Sequence, residues 1–148
     1  MKTILQFLLI FVLMVGCKTY NEQDKQYFDQ KIQSYIKKNK LKMEKTDSGL
    51  YYKIIEEGEG NPILFTDEVS FTYTGKFMNG DVFDKVTKPV KFQVKQLIGA
   101  WKEIMLSLKP GAKAYLIAPP QLGYGDKQLD DIPANSILIF EMKVIKVE

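Results

Sequence analysis

The sequence predicts an α+β domain, an antiparallel β-sheet wrapped around one short α-helix, preceded by an N-terminal helix and a signal peptide. Three observations predict it. "VSFTYT" (69–74) alternates Val69, Phe71 and Tyr73 with small polar residues, the pattern of a half-buried strand, and Asn79-Gly80 then turns the chain into "DVFD". "QLIGAWKEIMLSL" (96–108) places Leu97, Trp101, Ile104 and Leu108 along one side of a helix. "SILIFEMKVIKV" (136–147) is a long last strand whose Leu138, Phe140, Met142 and Val144 share a face. Strands joined by hairpins and long returns, with one helix between them, imply a sheet folded over that helix.

The other elements follow in order. "LYYKII" (50–55) and "AKAYLIA" (112–118) read as strands, and "VKFQV" (90–94) continues the arm that returns from the Asn79-Gly80 turn. "KPG" (109–111) stops the helix, and "PPQLGYGDKQLDDIPAN" (119–135) is a long loop. Upstream, Phe28, Ile32, Tyr35 and Ile36 fall at i, i+4, i+7 and i+8, one face of an amphipathic helix that ends among Lys37, Lys38 and Lys40. This helix is expected to act as a spacer, packed on the domain or paired with a second copy.

The first sixteen residues, "MKTILQFLLIFVLMVG", hold Lys2 and then an apolar run too short to span a bilayer as a mature helix. The run ends at Cys17, the sole cysteine of the chain, in an arrangement that resembles a bacterial lipobox. That resemblance implies a diacylglyceryl group on the Cys17 thiol, cleavage that makes Cys17 the new N-terminus, acyl chains such as palmitate and a membrane anchor. Lys18 after the cysteine favours the periplasmic side of the outer membrane. The expected organisation is a lipoprotein signal peptide at 1–16, an anchor and spacer at 17–47, and a folded domain at 48–148.

Composition narrows the chemistry. With 45% hydrophobic residues the 148-residue chain can bury one real core. Its 21 basic residues are all lysines, scattered rather than striped, so the bidentate forks that read bases are missing and no nucleic-acid partner is expected. There is no histidine. Imidazole acid–base chemistry and a Cys–His dyad are thereby excluded, the single cysteine excludes an intrachain disulfide, and no cofactor or metal is expected. Carboxylates, hydroxyls, backbone amides and apolar surface remain.

Taken singly, the notable residues have plain explanations. Trp101 on an apolar helix face, and Tyr73 and Phe140 at alternating strand positions, read as core. Asp84 after Phe83 at a strand end reads as a turn-capping carboxylate. Together they say more. "FTYTG", "VFD", "KPVKFQV", "QLIGAW", "LKPGAKAYLIAPPQLGYG" and "IPANSILIFEMKV" run in the order and spacing of the FK506-binding-protein (FKBP)-type peptidyl-prolyl isomerases, which the chain resembles from about residue 48 onward.

The resemblance implies an apolar pocket with Trp101 as its floor. Its implied catalytic residues are Tyr73, Phe83, Asp84 and Tyr124, and its implied substrate-binding residues are Val90, Leu97, Ile98, Trp101, Ile132 and Phe140. Val90 stands where an aromatic is frequent in the family, which leaves one wall shallower, and Phe92 is expected to support the sheet from within. The implied activity is rotation about X–Pro bonds of exported polypeptides, with the Ile98 N–H and the Tyr124 hydroxyl holding substrate carbonyls. Proline-containing polypeptides are the implied partners, and macrolide inhibitors are candidate ligands. The alternative is a membrane-anchored chaperone or envelope-complex module with weak or no isomerase activity.

Overall fold

A computed structural model describes residues 19–148; the expected signal peptide and Cys17 lie outside the described residues. The elements are α1 (Glu22–Lys38), β1 (Glu44–Lys45), β2 (Tyr51–Glu56), β3 (Glu68–Phe77), β4 (Val82–Gln93), α2 (Gly99–Met105), β5 (Lys113–Ala118) and β6 (Leu138–Val147). Short 3-10 turns at Val94–Gln96 and Pro120–Leu122 precede α2 and follow β5. The strands form one six-stranded antiparallel sheet in the order β1-β2-β5-β6-β3-β4. An antiparallel sheet curved over a short helix is the architecture the sequence predicts.

The β3–β4 hairpin closes at Asn79-Gly80. Gly80 takes φ +95°, and the Asn79 side chain accepts from the Asp81 N–H at 3.0 Å. On the concave face Leu138, Phe140, Met142 and Val144 of β6 meet Ala100, Trp101, Ile104 and Met105 of α2, together with Val69, Phe71, Ala114 and Leu116. Period-two alternation puts these side chains on one face, where burial of each large one contributes about 1.5–3 kcal/mol.

The helix expected over 96–108 is shorter. Leu97 and Ile98 are extended, with ψ near 160°, and α2 spans seven residues. Leu97 and Leu108 are buried all the same, supplied by the turns on either side. The chain cannot wind earlier because Leu97 closes the preceding 3-10 turn through its N–H to Val94 O at 3.1 Å. The Ile98 carbonyl then opens α2 by accepting from the Trp101 and Lys102 N–H groups, both at 3.0 Å.

The N-terminal helix lies against the convex face of the sheet. Asn21 and Asp24 form a reciprocal capping box at its start, at 2.8 and 3.3 Å. Phe28 and Ile32 are buried against Tyr51, Ile117, Ile137 and Ile139. Tyr51, Ile117 and Ile139 are directly paired across β2, β5 and β6, so α1 covers one continuous row.

Polar clamps complete this contact. Asp29 Oδ1 accepts from Tyr51 Oη at 2.8 Å and faces Lys45 Nζ at 2.6 Å, while Gln33 donates to Oδ2 at 2.8 Å. Burial alone would raise the pKa of Asp29, but the hydrogen bonds from Lys45 and Tyr51 outweigh it and hold the carboxyl below its usual range. A pKa depressed by folding stabilises the docked helix above the unfolded value, about 3.9, and that stabilisation is lost as pH falls through the folded value. Amide protection across α1 is therefore expected to fall below about pH 4 before that of the sheet, and Asp29→Asn should lower it already at neutral pH and remove this pH dependence.

Candidate active site

Four rings converge on the open end of α2. Trp101 is met by Tyr73 from β3 at a centroid distance of 4.7 Å, by Phe140 from β6 at 5.0 Å and by Phe71 from β3 at 5.2 Å, all near perpendicular. Phe83 from β4 stands edge-on to Phe140 at 5.8 Å. Phe71 is fully buried and supports the cluster from behind, whereas Trp101 keeps 7% of its surface accessible. Leu97, Ile132, Val90 and Ile98 pack against the same cluster, the last two only partly buried.

A β-bulge aims the carboxylate. Gly75 pairs with Asp84 and Lys76 with Val82, so Phe83 falls in the irregularity between the two pairs. Asp84 is exposed at this edge and accepts a short hydrogen bond from the Tyr73 hydroxyl. Burial, that hydrogen bond and the charge of Asp84 together push the Tyr73 hydroxyl well above the ordinary tyrosine range. Tyr124, on the loop after β5, is 37% exposed; partial burial and the charge of Asp84 push its hydroxyl up as well. Both hydroxyls are thus donors across the neutral range.

Two N–H groups at the site have no protein acceptor among the described residues. Trp101 Nε1 is buried and unpaired. The Ile98 N–H, immediately before α2, makes no hydrogen bond either, while the carbonyl of the same residue opens the helix. An orphan donor beside an aromatic cluster is a ready hold for a carbonyl oxygen.

Of the ten residues expected at the site, Tyr73, Phe83, Trp101 and Phe140 are joined by ring contacts and Asp84 by its bond to Tyr73. Tyr124 feels the charge of Asp84, and Val90, Leu97, Ile98 and Ile132 belong to or pack on the same core. Phe92 is placed otherwise. It is 46% exposed, with its ring 6.2 Å from that of Phe71, and it does not support the sheet from within. It precedes the turn at Val94–Gln96, where β4 leaves the curved part of the sheet.

Comparison with known proteins agrees with this geometry. Residues 63–145, more than half of the chain, match the model of the FKBP-type peptidyl-prolyl cis-trans isomerase family. The chain belongs to that family. Its FKBP-type domain is 41% identical over 120 residues to the isomerase FkpA of Buchnera aphidicola, covering 77% of this chain and 48% of that one. To the peptidyl-prolyl cis-trans isomerase Mip of Coxiella burnetii it is 37% identical over 115 residues, 75% of this chain and 50% of the other. The crystal structure of FkpA from Escherichia coli superposes with a TM-score of 0.74 at 30% identity, covering 86% of this chain and 62% of that one. The chain spans about half the length of the curated relatives it matches.

Sequence reasoning overlooked Gly75 in this FKBP-type domain. It sits between Asp84 on one neighbouring strand and Phe140 on the other. A Cβ there would stand 2.5 Å from Phe83 Cζ and 3.2 Å from Phe140 Cε1, so the Phe83 ring lies where only glycine leaves room. A glycine inside the alternating run "FTYTG" was the signal, since isolated strand glycines mark close approaches. Gly75→Ala is expected to cost about 1–3 kcal/mol in urea unfolding and to displace the Phe83 ring. Combining it with Phe83→Ala should cost less than the sum of the two single changes, by about 0.5 kcal/mol or more.

Proposed function

We propose that this chain catalyses cis–trans isomerisation of X–Pro peptide bonds, without a covalent step. The observation that carries the reading is the unpaired Ile98 N–H next to the aromatic cluster on Trp101. It offers a carbonyl hold and an apolar surface for a pyrrolidine ring side by side. Rotation about the prolyl bond faces a barrier of about 18–20 kcal/mol because the planar amide is resonance-stabilised. Twisting removes resonance and charge separation, so water favours the planar ground state more than an apolar surface does. Transfer of the prolyl amide onto Trp101, Phe83, Phe140 and Ile132 lowers the relative barrier.

The polar groups orient the substrate in this reading. The Ile98 N–H holds one carbonyl and the Tyr124 hydroxyl a second. Asp84, kept in place by Tyr73, tunes the field where the rotating carbonyl moves. Val90 and Leu97 line the walls. Proton transfer has no part, since both tyrosine hydroxyls stay protonated.

Acceleration of cis/trans relaxation in a proline tetrapeptide is the direct test, with a macrolide of the FK506 class as competitor. Asp84→Ala, and Tyr124→Phe combined with Phe83→Ala, should each lower kcat/KM by about tenfold or more while the fold persists, each tenfold corresponding to about 1.4 kcal/mol of lost transition-state stabilisation. A relaxation rate in folded protein equal to that in buffer would reject the reading. Client binding that survives both variants would point instead to a chaperone module. With no histidine in the chain and both hydroxyls shifted upward, kcat/KM should stay flat between about pH 6 and 9.

The sequence around Cys17 supports a lipid anchor on the cell envelope and exported polypeptides as substrates. Tyr20, three residues after Cys17, is already buried in the fold. An anchor at Cys17 would hold the domain within roughly 10 Å of the acyl chains. Cys17→Ser should move the protein from the membrane fraction to the soluble one on sedimentation, and continued membrane association would remove the lipidated cysteine from the account.

A further inference from the structure

The loop between β5 and β6 is fastened from the far end of the chain. Tyr20, just before α1, is 8% exposed and stands edge-on to Phe28 at 5.8 Å. Its hydroxyl donates to Asn135 Oδ1 at 2.6 Å, across 115 residues of sequence. Asn135 is left-handed, with φ +61°, and its N–H donates to the Gly125 carbonyl at 2.8 Å. The Gly125 N–H in turn donates to Pro120 O at 2.9 Å. These bonds close the base of an excursion that carries Ile132 and begins next to Tyr124. Inside it the Leu129 N–H reaches the Ile132 carbonyl at 3.0 Å.

We propose that Tyr20 is a positioning residue, which through Asn135 fixes the base of the 125–135 loop and so sets how Tyr124 and Ile132 are presented to the aromatic cluster. The proposal rests on the isomerase reading of those two residues. It also makes the segment before α1 a determinant of the residue preferred before proline, because that loop carries Ile132 into the core and begins beside Tyr124. Physically the clasp removes freedom from a long loop whose own backbone bonds are few.

Tyr20→Phe in the full chain keeps the ring contact with Phe28 and deletes the hydroxyl. Amide exchange over residues 125–135 should quicken by about fivefold, with β5 and β6 unchanged. Over a tetrapeptide series varied before proline, kcat/KM should fall by a similar factor and the spread of preferences should narrow. Asn135→Gly, which retains the left-handed backbone without the acceptor, should reproduce both effects, and the double variant should add nothing further. Asn135→Asp keeps an acceptor and should behave like the parent.

Unchanged exchange in the loop would overturn the proposal, as would faster exchange with rates and preferences intact. An inactive parent protein would instead overturn the isomerase reading, and the exchange measurement alone would then decide whether Tyr20 holds the loop.

Discussion

The arrangement of this domain depends on one packing requirement: a single indole, on a helix of seven residues, must be met edge-on by rings from two neighbouring strands. β3 supplies Phe71 and Tyr73 by its alternation, and β6 supplies Phe140 from the adjacent strand. A flat sheet could not bring them to one side chain. The bulges in β3–β4 bend the hairpin toward α2, and the same irregularity that curves it re-aims Phe83 and exposes Asp84. The cost is visible in Trp101 Nε1, a buried donor without a partner, worth roughly 1–3 kcal/mol of lost stability.

Electrostatics at the cluster run in one direction. Burial first and then the charge of one carboxylate, Asp84, raise the pKa of two tyrosine hydroxyls, and no cation is paired with that carboxylate among the described residues. Both hydroxyls therefore keep their protons near neutrality. The hydroxyl dipole of Tyr73 is thereby fixed beside an apolar surface. The hydrogen bond between Tyr73 and Asp84 ties two neighbouring strands at this point.

Much of the fold was legible in the residue pattern, because alternation and turn chemistry are local. Val69, Phe71 and Tyr73, and the even-numbered apolar residues of β6, declare the concave face directly. The length of α2 was not legible. Leu97 and Leu108 keep helical spacing yet are buried from flanking turns, and periodicity cannot distinguish these cases. The docking of α1 was half legible: its apolar face was clear, but periodicity left open whether that face packs on the domain or pairs with a second copy. Among the site residues, Trp101 and Phe140 carried no mark of their own beyond ordinary core positions. Their meaning came from the order of motifs around them, and Gly75 escaped because an absent side chain leaves only a gap in the pattern.

The helix on the convex face bears on where this polypeptide can be cut. Because Phe28 and Ile32 seal the row of Tyr51, Ile117 and Ile139, a fragment begun at the first long strand would present that greasy stripe to solvent along three adjoining strands. Such fragments would adhere to one another. A minimal folded piece has to start before Tyr20, so what resembles a tether in the primary structure belongs to the folding unit.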